Sequence, residues 1–229
     1  MSSTSLHRRI VHGLGRQILS GKLRPGQPLP IPAGLHASRT AIREAIKVLS
    51  AKGLVEARPK VGTRVRTREA WQLLDPDVIG WQQDGPMRAD FLRNLTEVRA
   101  VLEPAAAEMA ARHATDADIA VIDLAYRDMV TATSGARVNF TKFAAADCRF
   151  HAAIAAATGN ELLQQVGQTI FTALSFSFRM VTAKPGAARA SMSRHQAILD
   201  AIRRGRPTEA RRAMLRLIDH TARQVKKTK

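Results

Sequence analysis

Residues 38–65 constrain the fold more than any other part of the chain. After a polar opening, apolar residues recur at the spacing of one helix face: Ala41, Ile42, Ala45, Ile46 and Leu49. A Gly53-Leu54-Val55 break ends this helix, and a short basic segment that reads as a β-hairpin follows at 59–65. A helix with a polar, basic first turn and a hairpin beside it predicts a winged helix-turn-helix, whose recognition helix enters a DNA major groove.

The positive charge of the chain is unevenly distributed. The formal net charge is +17 over 229 residues. Residues 1–70 contain 14 Lys and Arg against 3 Asp and Glu, residues 71–202 contain 12 against 14, and residues 203–229 contain 10 against 2. A basic N-terminal module before a near-neutral middle is typical of a nucleic-acid reader joined to a second domain. The basic tail follows a helical pattern, which favours a solvated helix face.

The composition favours helices and excludes several classes of protein. Hydrophobic residues make up 45% of the chain and aromatic residues only 4%. The single cysteine, Cys148, excludes an intramolecular disulfide and a Cys-rich zinc module. No stretch approaches the roughly 20 apolar residues of a membrane span, and no signal-peptide region opens the sequence. We therefore expect a cytoplasmic protein with no membrane partner.

Helical periodicity predicts a mostly α fold of two domains. We predict a winged helix-turn-helix domain at 1–70, a linker at 71–87 and a helical effector-binding and dimerisation domain at 88–229. Short loops between the helices of the second domain favour an antiparallel bundle, and Asp116 and Thr208 are predicted N-caps. The predicted helices span residues 6–20, 88–112, 116–133, 138–157, 160–182, 190–204 and 207–226.

Several motifs resemble the GntR family of bacterial regulators. The run I-x-x-G-x-L-x-P-G-x-x-L-P at 18–30 and S-R-T-x-x-R-E-A at 38–45 resemble its DNA-binding domain. The motifs E-x-R-x-x-x-E at 97–103, D-x-x-x-H at 147–151, T-G-N at 158–160 and H-x-x-I-x-x-A-I at 195–202 resemble its FadR-type subfamily, with an all-helical ligand-binding (FCD) domain. The segment LDPDVIGW at 74–81 is similar to members that act as sugar-acid (galactonate)-responsive repressors.

The sequence departs from the family pattern at two places. Only seven residues separate Pro30 from Ser38, and Pro32 and Gly34 disfavour a helix among them, so we predict a shortened positioning helix. Leu217 occupies the place where the last family motif has a histidine, and His220 follows three residues later.

The resemblance implies a set of DNA contacts in the first domain. Arg39 and Arg43 would contact bases or phosphates, Ser38 and Thr40 would contact phosphates near the helix N-terminus, and Gly62 would form the wing tip. The basic residues Lys47, Arg58, Lys60 and Arg64 are candidates for sequence-independent phosphate contacts. The alternative is that these are solvated charges and that Arg43 is paired with a carboxylate.

A second group of residues carries ligand chemistry. Asp147 and His151, four residues apart, share one helix face, and His195 from another helix would complete a site for a divalent ion such as Zn, Mn or Ni. His220 is a further candidate metal ligand. Predicted effector-binding residues are Arg99, a bidentate carboxylate partner, and Asn160. The alternative is an Asp–His hydrogen bond within a polar core.

These residues together predict a homodimeric, metabolite-responsive regulator rather than an enzyme. We expect a repressor of a catabolic operon that binds a pseudo-palindromic double-stranded DNA operator and responds to a sugar acid or other small carboxylate. Two alternatives remain open: a metal-dependent enzyme that uses Asp147, His151 and His195, and a nonspecific nucleic-acid-binding protein.

Overall fold

Helices dominate the computed structural model, which describes residues 3–30, 39–58, 60–82, 88–181 and 186–226. These residues form nine α-helices and one two-stranded antiparallel sheet. The chain divides into an N-terminal unit, Met1–Ala89, and a helical unit, Asp90–Lys229. The predicted mostly α fold, with a winged N-terminal part and an all-helical C-terminal part, is confirmed. None of the described helices is both long enough and apolar enough to cross a membrane.

The N-terminal unit contains three helices and a two-stranded hairpin. Helix α1 spans Ser3–Leu19, α2 spans Arg39–Ala51, β1 spans Val55–Arg58, β2 spans Gly62–Val65, and α3 spans Pro76–Gln82. The apolar stripe predicted on α2 faces inward, since Ala41, Ala45 and Leu49 are buried. The segment 31–38, which includes the predicted shortened positioning helix and Ser38, lies outside the described residues.

The hairpin is extended by a third segment of chain. β1 and β2 pair antiparallel, with Val55 opposite Val65 and Arg58 opposite Gly62. The amide of Val65 donates to the carbonyl of Gln27 at 3.0 Å, and the amide of Leu29 donates to the carbonyl of Thr63 at 2.8 Å. The turn after α1 is therefore held against β2 by backbone hydrogen bonds.

Helix α3 lies in the region predicted as a linker. The carboxylate of Asp75 accepts from the amides of Asp77 and Val78, which caps the helix, and also pairs with Lys52 at 2.8 Å. Burial opposes the charge of Lys52, but the carboxylates of Asp75 and Asp77 raise its pKa. Because Val78 and Trp81 join the apolar core, residues 75–82 pack within the N-terminal unit.

The helical unit contains six helices: α4 (Arg88–His113), α5 (Asp116–Ser134), α6 (Phe140–Ala156), α7 (Glu161–Val181), α8 (Ala187–Arg203) and α9 (Pro207–Lys226). Buried residues of α4, α5, α6, α8 and α9 form its main apolar core. Among them, α6 packs between α5 and α7, while α8 packs against α5 and α9. Ile122, Met129, Phe150, Ile198 and Met214 lie in this core with 1% exposure or less.

The caps of two helices differ from those predicted. Thr115, not Asp116, caps α5: its hydroxyl accepts from the amide of Asp118, and the Asp118 carboxylate accepts from the amide of Thr115. This reciprocal capping box satisfies two amides that have no partner inside the helix. Thr208 was also predicted wrongly as a cap, because α9 already begins at Pro207, a residue suited to a first helical position.

Two glycines of α1 provide a matched test of the α1–α3 contact. A Cβ on Gly15 would lie 2.4 Å from the Trp81 ring, whereas a Cβ on Gly13 would meet nothing within 4 Å. We predict that Gly15→Ala destabilises the N-terminal unit by about 1–3 kcal/mol through overpacking. Gly13→Ala should stabilise it by up to about 1 kcal/mol, because alanine favours a helix.

Tryptophan fluorescence during urea unfolding measures both effects. The two tryptophans of the chain, Trp71 and Trp81, both lie in the N-terminal unit and are buried there. The fluorescence transition therefore reports on this unit alone. Equal midpoints for the two variants would contradict the described packing of Trp81 on α1.

Candidate functional site

The first candidate site is the outward face of α2 with the hairpin. Thr40, Arg43 and Lys47 are exposed on α2, opposite its buried apolar stripe. Lys47 forms an exposed ion pair with Glu44 at 2.8 Å. Arg43 has no ion pair among the residues that the structure describes. Arg39 begins α2, but its side chain lies outside the described part of the structure.

The hairpin carries the other predicted DNA contacts in different environments. Lys60 and Gly62 are exposed at its tip with φ values of 62° and 87°, in the left-handed region that a tight turn requires. Arg58 pairs with Glu56 at 2.8 Å. Arg64 is half-buried, and its Nη1 donates to the carbonyl of Gly26 at 2.6 Å. The side chain of Arg64 therefore anchors the turn to the hairpin.

The second candidate site is a buried cluster in the helical unit. Asp147 and His151 lie on the inward stripe of α6, together with Phe143, Phe150 and Ile154. His195 reaches the same point from α8. The three side chains are at most 3% exposed, and one potential ligand atom from each lies within 4.8 Å of the others. The structure therefore brings together three of the four predicted metal ligands.

Close contacts within the cluster are not aligned as hydrogen bonds. Nε2 of His195 lies 2.9 Å from Oδ1 of Asp147, and Nε2 of His151 lies 3.9 Å from Oδ2. Neither Nε2 atom, nor Oδ2 of Asp147, has a hydrogen-bond partner among the described residues. Buried polar atoms are nearly always hydrogen-bonded, so these three atoms are candidates to bind one shared ligand.

Neighbouring groups orient the two imidazoles. Nδ1 of His195 lies 3.0 Å from the carbonyl oxygen of Ser191. Since a carbonyl oxygen only accepts, this contact favours the tautomer that carries its proton on Nδ1 and leaves Nε2 with a lone pair. The ring of Phe150 packs edge-on against both His151 and His195, with centroid distances of 5.6 and 5.2 Å.

A buried ion pair on α4 extends the cluster. Nε of Arg99 donates to Oε1 of Glu103 at 2.5 Å, and Oε2 of Glu103 lies 2.8 Å from Nδ1 of His151. Burial opposes the charge of Glu103, yet Arg99 and His151 lower its pKa to about 2. Burial likewise opposes the charge of Asp147, and His195 and His151 lower its pKa. Both carboxylates therefore remain charged inside the bundle.

Glu103 was not predicted as a site residue. It stands in the motif E-x-R-x-x-x-E, four residues after Arg99, and this spacing on a helix is the one signal for their ion pair. Its approach to His151 depends on the packing of α4 near α6, which the sequence of α4 does not display.

Three other polar groups contribute no ligand atom to the cluster of Asp147, His151 and His195. His220 is half-exposed on α9, where burial together with Arg194 and Arg223 lowers its pKa. The carboxamide oxygen of Asn160 accepts from the amides of Leu162 and Leu163 and so caps α7. Burial raises the pKa of the Cys148 thiol to about 12, which keeps it protonated and unsuited to metal ligation.

A small cavity adjoins the ion pair. It has a volume of about 20 Å³, close to what one water molecule requires. Its walls come from α4, α6 and α7, and include Arg99, Glu103, Leu163 and Phe171. This cavity by itself is therefore too small for a ligand the size of a sugar acid.

A basic recognition helix with a wing, joined to a helical unit that buries a carboxylate–imidazole cluster, defines the class of DNA-binding transcriptional regulators. The comparisons agree: residues 6–65 match the family described as bacterial regulatory proteins, gntR family, and residues 94–220 match the FCD domain. The chain belongs to the GntR family and carries its FCD domain. This is a family of regulators and not of enzymes.

Relatives and solved structures extend this likeness over nearly the whole chain. The galactonate operon transcriptional repressor of Escherichia coli (strain K12) is 35% identical over 223 residues, covering 95% of this chain and 96% of that protein. The Glc operon transcriptional activator of the same strain is 30% identical, covering 89% and 82%. A GntR structure from Streptococcus agalactiae shares the fold with a TM-score of 0.54 at 24% identity, covering 97% and 99%.

The Arg99–Glu103 pair predicts a defined dependence of stability on pH. Because the pKa of Glu103 falls from an ordinary 4.5 to about 2 in the folded chain, its contribution of about 3 kcal/mol is fully present above pH 4.5. It is lost as the pH falls from 4.5 towards 2. Glu103→Gln should remove this dependence and destabilise the helical unit by about 3–5 kcal/mol, because Arg99 is left buried and unpaired.

Urea unfolding followed by the fluorescence of Tyr126 tests this prediction, since the only tyrosine of the chain lies on α5 of the helical unit. The matched control is Arg99→Met with Glu103→Gln, which removes both charges and should recover most of the lost stability. If the double variant is as unstable as Glu103→Gln alone, the destabilisation does not come from an uncompensated charge.

Proposed function

We propose that this chain is a homodimeric repressor that binds the operator of a catabolic operon and releases it when a small carboxylate, such as a sugar acid, binds the helical unit. The observation that carries this proposal is the buried cluster of Asp147, His151 and His195. Oδ2 of Asp147 and Nε2 of both histidines have no hydrogen-bond partner among the described residues. The cluster lies in a different unit from α2, as expected for a sensor separate from its DNA reader. A regulator of this kind works in the cytoplasm, where bacterial DNA lies.

The donor set fits a divalent cation such as Zn, Mn or Ni. Two imidazole nitrogens and a carboxylate are ligands that these ions share. A small rotation of His151 would let Nδ1 donate to Glu103, 2.8 Å away, and leave Nε2 free for a metal. A carboxylate or carbonyl behind each histidine is the usual support of a metal ligand. His220 is left out of this set because it lies half-exposed on α9.

Charge explains why the effector would be an anion. Asp147 and Glu103 carry two negative charges against the one positive charge of Arg99. A divalent ion turns this into one positive charge and supplies open coordination positions for carboxylate and hydroxyl oxygens. Arg99 would help to hold the effector carboxylate, since a guanidinium binds carboxylates in a bidentate manner.

The choice of a repressor that responds to a sugar acid rests on similarity. The relative at 35% identity is named as a repressor of a galactonate operon, and galactonate is a hydroxylated carboxylate of the kind that the cluster suits. The Glc operon relative is named as an activator, so the direction of control requires its own measurement.

The first test concerns metal and effector. Chain purified without added metal should contain a divalent ion by elemental analysis. After chelator treatment, Zn²⁺, Mn²⁺ or Ni²⁺ alone should raise the melting temperature of the helical unit, because binding at 100-fold excess over Kd adds about 2.7 kcal/mol. Galactonate should raise it further only when metal is present, and should release the operator.

Asp147→Ala and His195→Ala should lose the metal and its thermal shift, whereas the control His220→Ala should retain both. If Asp147→Ala leaves the metal content unchanged, the proposed metal site is wrong. Metal binding with no response to galactonate or other small carboxylates would keep the metal site and exclude the proposed effector class.

The second test concerns DNA. The probe is a duplex selected by the protein itself from random sequences, and the readout is affinity across a range of salt concentrations. Arg43→Ala should weaken binding by about 1–3 kcal/mol and relax sequence discrimination, because Arg43 is exposed and has no ion pair among the described side chains. Lys60→Ala should mainly reduce the salt dependence, by about one unit of slope.

Lys47→Ala serves as the control, because the Glu44 carboxylate already neutralises this lysine and a smaller effect is expected. Equal affinity of the wild type and Arg43→Ala for the selected duplex would contradict the assignment of α2 as the recognition helix. Competition by bulk DNA as effective as by the selected duplex would favour a nonspecific nucleic-acid binder.

A further inference from the structure

The last helix, α9, carries arginines on the side that faces away from the core. Arg212, Arg216 and Arg223 are exposed, and their spacing of four and seven residues keeps them within about 40° of one another around the helix. Met214 and Leu217 lie on the other side and are buried in the core. Arg212 and Arg223 are about 16 Å apart along the helix axis. These three arginines form the α9 row.

The α9 row lacks the carboxylate partners that other exposed arginines of the helical unit have. Arg127 pairs with Asp123 at 2.6 Å, and Arg149 pairs with Asp128 at 2.7 Å. In the part of the chain that the structure describes, no member of the row forms an ion pair. Three guanidinium groups on one face therefore interact with solvent or with an anionic partner.

Neighbouring charges add to the positive charge of the row. Burial lowers the pKa of His220 on α9, and so do the charges of Arg194 on α8 and Arg223. Asp219 is an exposed acid on the same face. Even so, residues 203–229 contain 10 Lys and Arg against 2 Asp and Glu. A surface of this kind attracts polyanions.

We propose that the α9 row is a second DNA-contacting surface, which binds the phosphate backbone beside the operator without reading its sequence. This proposal rests on the operator binding proposed above and adds a contact from the helical unit. A guanidinium matches the geometry of phosphate oxygens. A row about 16 Å long spans roughly five base pairs, so each arginine can meet its own phosphate. Because α2 would already hold the chain on DNA, a weak second contact gains from a high effective concentration.

A membrane surface suits α9 less well than DNA does. A helix that lies in a bilayer interface inserts an apolar face among the lipids. The apolar face of α9 is already used in the core, where Met214 and Leu217 have 2% exposure or less. Contact with a DNA backbone requires only the exposed positive charge.

The test compares the affinity of the full chain for two duplexes of different length. One has about 20 base pairs and carries only the selected site, and the other adds about 15 base pairs of unrelated sequence on each side. The wild type should bind the longer duplex about 10-fold more tightly in about 0.1 M salt. Arg212→Gln with Arg216→Gln should lose most of this preference and lower the salt slope on the longer duplex by about 2 units, since each phosphate contact contributes about 0.9.

The matched control is Arg127→Gln with Arg149→Gln, which removes the same charge from arginines that already have carboxylate partners. This variant should keep the preference for the longer duplex. Asp219→Asn removes an acid beside the row and should raise affinity for the longer duplex about 2- to 3-fold, by strengthening its attraction to phosphate. A loss of stability could not produce such a gain. Ellipticity at 222 nm checks that each variant is folded.

Three outcomes would overturn the proposal. If the two double variants bind the longer duplex alike, or if Asp219→Asn weakens binding, the α9 row is not a DNA contact, while operator binding stands on the shorter duplex. If the row fails on DNA but its double variant no longer binds vesicles that contain phosphatidylserine, the row contacts a membrane instead. A wild type that does not bind the selected site at any length or salt concentration would overturn operator binding as well.

Discussion

The ion pair between Arg99 and Glu103 is the interaction on which the helical unit depends. Both side chains are buried, and a buried charge without a partner costs several kcal/mol. Glu103 offsets the charge of Arg99 and lies within contact distance of His151. A displacement of α4 would therefore disturb the guanidinium, the carboxylate and the imidazole together. Packing forces that keep α4 in place are also the forces that keep the cluster oriented.

In the N-terminal unit, the packing keeps the polar face of α2 exposed to solvent. This helix buries small apolar residues on one side, while α3 and the hairpin complete the core around it. Trp81 fills the space left by Gly15 and donates through Nε1 to Nδ1 of His12 at 2.7 Å. Helices α1 and α3, which contain no predicted DNA contact, thus support the recognition helix α2.

The sequence predicted the long elements of the fold well, because long helices carry many periods of apolar spacing. The predicted helix 116–133 is observed as Asp116–Ser134, and 207–226 as Pro207–Lys226. Helix α3 was missed because seven residues that begin with proline contain less than two full periods. The N-cap Thr115 was misplaced by one residue because threonine and aspartate are both good caps, and only the backbone geometry distinguishes them.

The candidate site was also predicted only in part, because the sequence shows contacts within one helix but not contacts between helices. Asp147 and His151 could be found from their spacing on one helix, and His195 from its motif. The contact of Glu103 with His151 could not be found, because it joins two helices 48 residues apart in sequence. The capping hydrogen bonds of Asn160 and the link from Arg64 to Gly26 were hidden for a similar reason. A residue type shows what chemistry is available, and the packing decides which partner it meets.

The cavity beside Arg99 has a volume of about 20 Å³, so a ligand larger than a water molecule would need more space than this cavity provides. If a ligand the size of a sugar acid binds at this cavity only after α4 or α7 moves, its apparent Kd equals the intrinsic Kd divided by the fraction of molecules that are open. If about 1% are open, the threshold concentration rises about 100-fold. Substitutions in the apolar walls of the cavity would then shift the concentration at which the regulator responds without touching a single ligand contact.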